Sequence, residues 1–300
     1  MNTARRNAVG AAHRLAGRPS VTAEAVALAR AAEQLRPEGE RIVDDPYARM
    51  FLGRAAQTAL AAWKLNGPAT RLIKRLDPGG VTYVACRHRY LDDQLAGALD
   101  DGVEQVVLLG AGYDSRAYRF ADALAGRPVF EVDLAPISRR KARLIAAHAA
   151  ELPDTDVRRV EIDFETQTLA GTLRAAGFRL GESTFVVWEG VSMYLTRSAV
   201  KSTIAALHDV CAPGSLLGMD CWHLVDDPGL LGSARRLAPN VLSLIGEAVT
   251  FGVHPEEMPF FLGALGFGIA DLATSADLET RYAGARPVDA SMYLLTAARA

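Results

Sequence analysis

Residues 105–133 read QVVLLGAGYDSRAYRFADALAGRPVFEVD, and this stretch decides the fold. Gln105-Val106-Val107-Leu108-Leu109 is short, apolar and rich in β-branched residues. That composition suits a strand buried on both faces of a parallel sheet. Gly110-Ala111-Gly112 ends the strand. Helical text begins at about Ser115, and Pro128-Val129-Phe130-Glu131-Val132-Asp133 reads as a second strand ending in acids. Strand, glycine turn, helix and strand make one βαβ unit.

The alternation continues downstream. Strands are predicted at Arg158–Asp163, Ser183–Glu189, Ser215–Cys221, Gly268–Ala273 and Ala290–Ala298. Helices are predicted at Ile137–Ala150, Leu169–Ala176 and Ala199–Cys211. The fold class is therefore α/β, with a mainly parallel, Rossmann-like sheet of about seven strands and right-handed crossovers. Upstream, helical spacing runs from Thr22 to Leu99, broken at Pro37, Gly39, Asn66-Gly67-Pro68 and Asp77-Pro78-Gly79-Gly80. The expected organisation is a flexible tail over 1–20, an N-terminal helical extension over 21–100 and an α/β domain over 101–300. A helical insertion over 223–260 is expected to cap the carboxyl ends of the strands, where open α/β sheets bind ligands.

Composition narrows the function. The chain has 300 residues, 50% hydrophobic and 23% charged, which is globular composition. Its 33 basic and 35 acidic residues leave a net charge of -2, so no electrostatic footprint for nucleic acid exists. No apolar run reaches the roughly 18 residues of a membrane helix. His13 and Arg14 break the apolar stretch a secretory signal would need. Cys86, Cys211 and Cys221 match neither a disulfide framework nor a zinc spacing, so no metal is expected. These features predict a cytoplasmic protein.

The strand ends carry the chemistry. Gly110 and Gly112 let backbone approach a ligand at a strand-to-helix turn. A dinucleotide fingerprint would place a third glycine at 115, where this chain has Ser115. Asp133 suits ribose hydroxyls, or it caps the following helix. Asp163-Phe164 sets a carboxylate beside an aromatic, suited to an exocyclic amine and an adenine face, or to a helix cap. Glu189 ends the next apolar strand. Glycine, acid, acid and acid on four successive strands point to one nucleoside site. No GK[ST] phosphate loop is present, so the ligand lacks a triphosphate.

LLGAGYDSRAYRF (108–120) followed by VFEVDLAPISRRK (129–141) resembles the leucine carboxyl methyltransferase family of S-adenosylmethionine-dependent enzymes, in particular its bacterial branch. The resemblance extends to Asp44-Asp45-Pro46-Tyr47-Ala48, to Arg87-His88-Arg89-Tyr90-Leu91-Asp92-Asp93 and to Trp188-Glu189-Gly190-Val191-Ser192-Met193-Tyr194-Leu195. It implies a class I methyltransferase fold and S-adenosylmethionine as cofactor. It further implies that Arg87 reaches the cofactor's carboxylate and that Gly110 lies beneath it. Asp133 would hold the ribose, Asp163 and Phe164 the adenine, and Glu189 would lie near the amino group. Arg41 would stand where some members carry a basic residue.

Methyl transfer from a sulfonium is an in-line displacement, so positioning supplies much of the rate. A carboxylate acceptor is ionised at pH 7, whereas a phenol wants a base. His223 and His254 are the candidate bases, and Tyr194 is a candidate for the acceptor pocket. For each, ordinary core or surface placement is the alternative. Arg116 and Arg119 read as helix-surface or packing residues, and Cys86 as a small buried filler. The expected partner is a small-molecule acceptor, since the net charge offers a protein's acidic tail no steering. Two rival classes are an NAD(P) oxidoreductase, which the absent third glycine disfavours, and a non-catalytic binding protein on the same fold.

Overall fold

A computed structural model of the chain describes residues 21–64, 79–162, 167–223 and 250–300. One sheet carries seven strands in the order β3-β2-β1-β4-β5-β7-β6. They are β1 Gln105–Leu109, β2 Val129–Asp133, β3 Val157–Glu161, β4 Thr184–Trp188, β5 Leu216–Trp222, β6 Phe267–Ala273 and β7 Met292–Arg299. β1 to β5 pair in parallel, and β7 runs antiparallel between β5 and β6. β1 and β4 are buried along their whole length, as their unbroken apolar text predicts. The order reverses between β1 and β4, which is where a doubly wound sheet opens a crevice at its carboxyl ends.

Helices cover both faces. They are α1 Val21–Glu33, α2 Arg54–Lys64, α3 Gly80–Asp100, α4 Ala135–Ala147, α5 Leu169–Ala175, α6 Arg197–Val210 and α7 Met258–Gly263. On one face α5, α6 and α7 pack with Val107, Phe130, Val186, Trp188, Leu217 and Tyr293. On the other, α3 packs with Val106, Leu108, Phe185, Val187 and Leu294. Strand side chains alternate between faces. The odd-numbered Glu131, Asp133 and Glu189 and the even-numbered Asp220 thus fall on the α3 face, with Val129, Val187 and Leu216. A third cluster joins α1, α2, Phe51, Leu52 and Tyr113.

The structure departs from the sequence reading in three places. The helix after β1 is two single turns, Arg116–Arg119 and Ala121–Leu124. Residues 250–257 are extended chain and turn, tied down where Phe251 N–H donates to Met193 O (3.2 Å) and Val253 N–H to Trp222 O (3.1 Å). Phe251 and Val253 are buried in the sheet core by this tethering. A π-helical turn at Glu279–Ala283 was not signalled by periodicity. The tail over 1–20, residues 65–78, the segment 163–166 and most of the insertion, 224–249, lie outside the described residues.

Candidate functional site at the carboxyl ends of β1, β2, β4 and β5

The glycine turn comes first. Gly110 has φ +73° and Gly112 φ +41°, both in the left-handed region that favours glycine. A Cβ at Gly110 would sit 2.3 Å from Val191 Cγ2, so the turn also lies tight against the chain leaving β4. Asp133 holds the turn, its Oδ2 accepting from Gly112 N–H (2.6 Å) and its Oδ1 from Leu134 N–H (2.7 Å). Burial raises the pKa of Asp133 above the usual value despite those two donors. A carboxylate has about four acceptor positions, so roughly two remain open.

Arg87 comes from the middle of α3 and is 5% exposed. Its Nε donates to Glu189 Oε1 (2.9 Å) and its Nη1 to Asp220 Oδ2 (2.9 Å). Asp220 Oδ1 accepts from Gly190 N–H (2.7 Å), so one carboxylate fixes both the guanidinium and the turn after β4. Gly190 has φ +70°, and a Cβ there would meet Arg87 Nη2 in ordinary contact at 3.4 Å. Arg89, two residues on, turns outward to Asp93 (2.7 Å) and the Tyr282 ring.

Glu189 is held by three basic side chains. Besides Arg87 it meets Arg116 Nη1 at 2.8 Å and His88 Nδ1 at 3.2 Å. Burial works to raise its pKa, and Arg116, then His88 and Arg87, outweigh that, holding it well below the usual carboxylate range. Asp220 goes the other way. Burial exceeds the pull of Arg87 and the Gly190 N–H, and its pKa is raised. Beside them Tyr83 is 1% exposed, and its hydroxyl has no hydrogen-bond partner among the described residues.

Arg116 and Arg119 take the packing alternative of the sequence reading and not the helix-surface one. Arg116 is 1% exposed and donates from Nε to Asp92 (2.7 Å) and from its backbone N–H to Asp114 (2.7 Å). Arg119 is almost as buried and pairs with Asp92 through both terminal nitrogens (2.7 and 2.8 Å). Ser115, where a third glycine was wanted, donates to Asp45 (2.7 Å). Asp45 also accepts from Arg30 (2.8 Å), which in turn donates to Tyr113 O (2.6 Å). The motifs over 44–47, 87–93 and 114–119 are thus one buried ionic lattice. The sequence reading left helix surface and packing open for Arg116 and Arg119 and did not give them their partners Asp92 and Asp114.

The remaining candidates are placed as follows. His223 and His254 stand together at the end of β5, ring centroids 5.2 Å apart, with Tyr293 5.7 Å from His223. Burial, then His254, lowers the His223 pKa, and its Nδ1 is buried without a partner among the described residues. Tyr194 ends a single 3-10 turn after β4 and is half-buried. Asp163 and Phe164 lie outside the described residues. Arg41 bonds Arg36 O (3.0 Å) and Asp44 (3.1 Å), within its own turn. Burial pushes the Cys86 thiol up to about 12, as an inert filler requires. Two clefts, of about 380 and 340 Å³, share Tyr118 and Pro153 and include none of the rim carboxylates. Among the described residues no group of His, Cys, Asp and Glu could hold a metal ion, and no helix is long and apolar enough to cross a membrane.

Comparison with known proteins follows the same lines. Residues 23–208 match the family model described as leucine carboxyl methyltransferase. A protein of Parafrankia sp. (strain EAN1pec), named provisionally as an S-adenosyl-L-methionine-dependent methyltransferase, is 33% identical over 288 residues. That match covers 93% of this chain and 86% of the relative. A similarly named protein of Mycobacterium ulcerans is 31% identical over 267 residues, 87% of this chain and 84% of its own. Among solved structures, a DUF574 family protein from Streptomyces avermitilis aligns with TM-score 0.58 at 16% identity, over 91% of this chain and 97% of its own. A protein from Thermobifida fusca, provisionally titled a methyltransferase, aligns with TM-score 0.55 at 17% identity, over 90% and 94%. At such identities these two structures speak for the fold alone.

Proposed function

This chain belongs to the leucine carboxyl methyltransferase family and is an S-adenosylmethionine-dependent methyltransferase, and on that premise we propose that it methylates an oxygen of a small-molecule acceptor. A carboxylate is the favoured group, with a hydroxyl second. The observation that carries the site is Arg87, clamped by Glu189 and Asp220 beside the Gly110 turn. Its planar fork suits a carboxylate bidentately. Glu189 has three donors against about four acceptor positions, which leaves room for one ammonium hydrogen bond. Together they match the two ends of an amino acid. Asp133, with acceptor positions to spare, takes the ribose hydroxyls, while Gly110 and Gly112 keep the rim free of side chains. Asp163 and Phe164 are assigned to the adenine.

When bound, S-adenosylmethionine supplies an electrophilic methyl group on a sulfonium. The chain's part is to bind, orient and exclude water. An acceptor carboxylate is already ionised at neutral pH and needs no base. A hydroxyl acceptor would need one, and His223, its pKa lowered by burial, is the proton acceptor assigned, with His254 beside it and Tyr194 on the same rim. The protein is assigned to the cytoplasm, with no nucleic acid, membrane or protein partner.

The test is a tritium-methyl transfer screen over small carboxylic acids and phenols, run beside calorimetry with S-adenosylmethionine. The expected result is cofactor binding and base-labile label, the mark of a methyl ester, on at least one acid. Label found only on nitrogen or carbon would overturn the oxygen assignment.

A further inference from the structure

We propose that His88 is a positioning residue for Glu189, held by Arg119 as the neutral tautomer protonated on Nδ1. The inference rests on the reading of Glu189 as acceptor of the cofactor's ammonium group, and it assigns the group that aims this carboxylate.

His88 is completely buried on α3, one residue after Arg87. Its two ring nitrogens face opposite demands. Nε2 lies 3.0 Å from Arg119 Nη2. A guanidinium only donates, so Nε2 must offer its lone pair. Nδ1 lies 3.2 Å from Glu189 Oε2 and 3.3 Å from Oε1. A carboxylate only accepts, so Nδ1 must carry hydrogen. Arg116 Nη2, which has two hydrogens, stands 3.1 Å from the His88 carbonyl and 3.0 Å from Nδ1, so Nδ1 meets one donor as well as both oxygens of Glu189, and the Nδ1–H form gives up that Arg116 contact to keep the one to Glu189.

The alternatives are worse. A proton on Nε2 would face the Arg119 donor, leave a bare lone pair against the Glu189 carboxylate and recover only the Arg116 contact. The imidazolium would satisfy Glu189 but oppose both guanidiniums. The charged groups around the ring are Arg30, Arg116 and Arg119 on one side of the balance and Asp45, Asp92, Asp114 and Glu189 on the other. Burial, then Arg116, lowers the pKa of the ring, in keeping with a neutral form.

Arg119 is itself immobilised. Its Nη1 and Nη2 donate to Asp92 Oδ2 and Oδ1. Asp92, Arg119, His88, Glu189 and Arg87 therefore form one unbroken polar chain, in which His88 turns an arginine donor into a donor aimed at Glu189. Remove it and Glu189 keeps its charge partners but loses the contact that sets its orientation between Arg87 and Arg116.

The experiment uses the full chain labelled with nitrogen-15 in histidine. A long-range proton–nitrogen spectrum should place His88 in the neutral Nδ1–H form, with the resonances assigned by their loss in His88→Asn. A neutral Nε2–H or an imidazolium pattern would overturn the proposal. Calorimetry with S-adenosylmethionine is the second arm. Asn can set an amide N–H where Nδ1 stands, whereas Gln reaches the place of Nε2. His88→Asn should bind within about threefold of the native protein, and His88→Gln should lose roughly tenfold, as for one charge-assisted hydrogen bond. Equal affinity in all three proteins, or Gln outperforming Asn, would overturn the positioning role. A native protein that binds no cofactor overturns the reading of Glu189, while a wrong tautomer in a protein that binds it overturns the His88 assignment alone.

Discussion

Glu189 and Asp220 stand side by side on one face of the sheet and share a single guanidinium, that of Arg87. They lie one step beyond the paired Trp188 and Met219 of β4 and β5. Their protonation tendencies diverge because Glu189 has Arg116 as well as Arg87, whereas Asp220 has Arg87 and one backbone N–H. The pair therefore divides its work. Asp220 fixes the guanidinium from within, and Glu189 holds its Nε at the rim.

Arg87→Lys should weaken S-adenosylmethionine binding by tenfold or more, on the order of 1.4 kcal/mol, because an ammonium cannot make the forked contact. Arg89→Lys should leave affinity within about twofold, since Arg89 pairs with exposed Asp93 and such pairs contribute little. Calorimetry on both variants checks the register of α3; the reverse ranking would falsify it.

Asp133→Ala should reduce cofactor binding by about 1–3 kcal/mol, the usual cost of leaving polar groups unpaired. It also releases the Gly112 N–H. Unchanged affinity, again by calorimetry, would remove Asp133 from the ribose.

Arg116→Met should destabilise the fold by about 3–5 kcal/mol, since it strands Asp92, Asp114 and Glu189 in the interior with one cation fewer. Urea denaturation measures this. A loss below about 1 kcal/mol would show that Arg116 does not hold these acids.

Gly110→Ala should destabilise the protein, through its positive φ and the contact with Val191 Cγ2. Adding Val191→Ala removes the methyl but not the backbone strain, so the double variant should recover only part of the loss. Full recovery in thermal melts would mean that the left-handed backbone is unimportant there.

Acid should expose the lattice in a defined window. Burial alone would raise the Asp92 pKa, yet Arg119 and Arg116 pull it down to about 2. Its folded value lies below its unfolded value near 3.9, so its stabilisation is present above pH 4 and lost as pH falls towards 2. The stability gap between native protein and Asp92→Asn should therefore narrow over that window. A gap that stays constant from pH 5 to pH 2 would show that Asp92 does not titrate with the fold.

The sheet was legible because its information is local. Unbroken apolar runs at 105–109 and 184–188, each followed by glycine or acid, read as parallel strands, and the structure places them as central neighbours. Gly110, Asp133 and Glu189 were legible for the same reason, as each terminates a strand whose text identifies it. The partners of Arg116 and Arg119 were not. Helical spacing says which side chains share a face, but burial of that face depends on α3 arriving with Asp92 and His88 from residues earlier in the chain. Likewise Ser115 looked like a missing glycine until Asp45 was found to accept its hydroxyl.

The sequence by itself determined the strand and helix order, the glycine turn and the acids at the strand ends, because hydrophobic period and turn chemistry act over a few residues. Only the tertiary structure decided which charges meet. Arg87 finds Asp220 133 residues away, and Arg30 finds Tyr113 O 83 residues away. Buried ions are tolerated only where opposite charges and donors converge in three dimensions, and no spacing along the chain encodes that convergence.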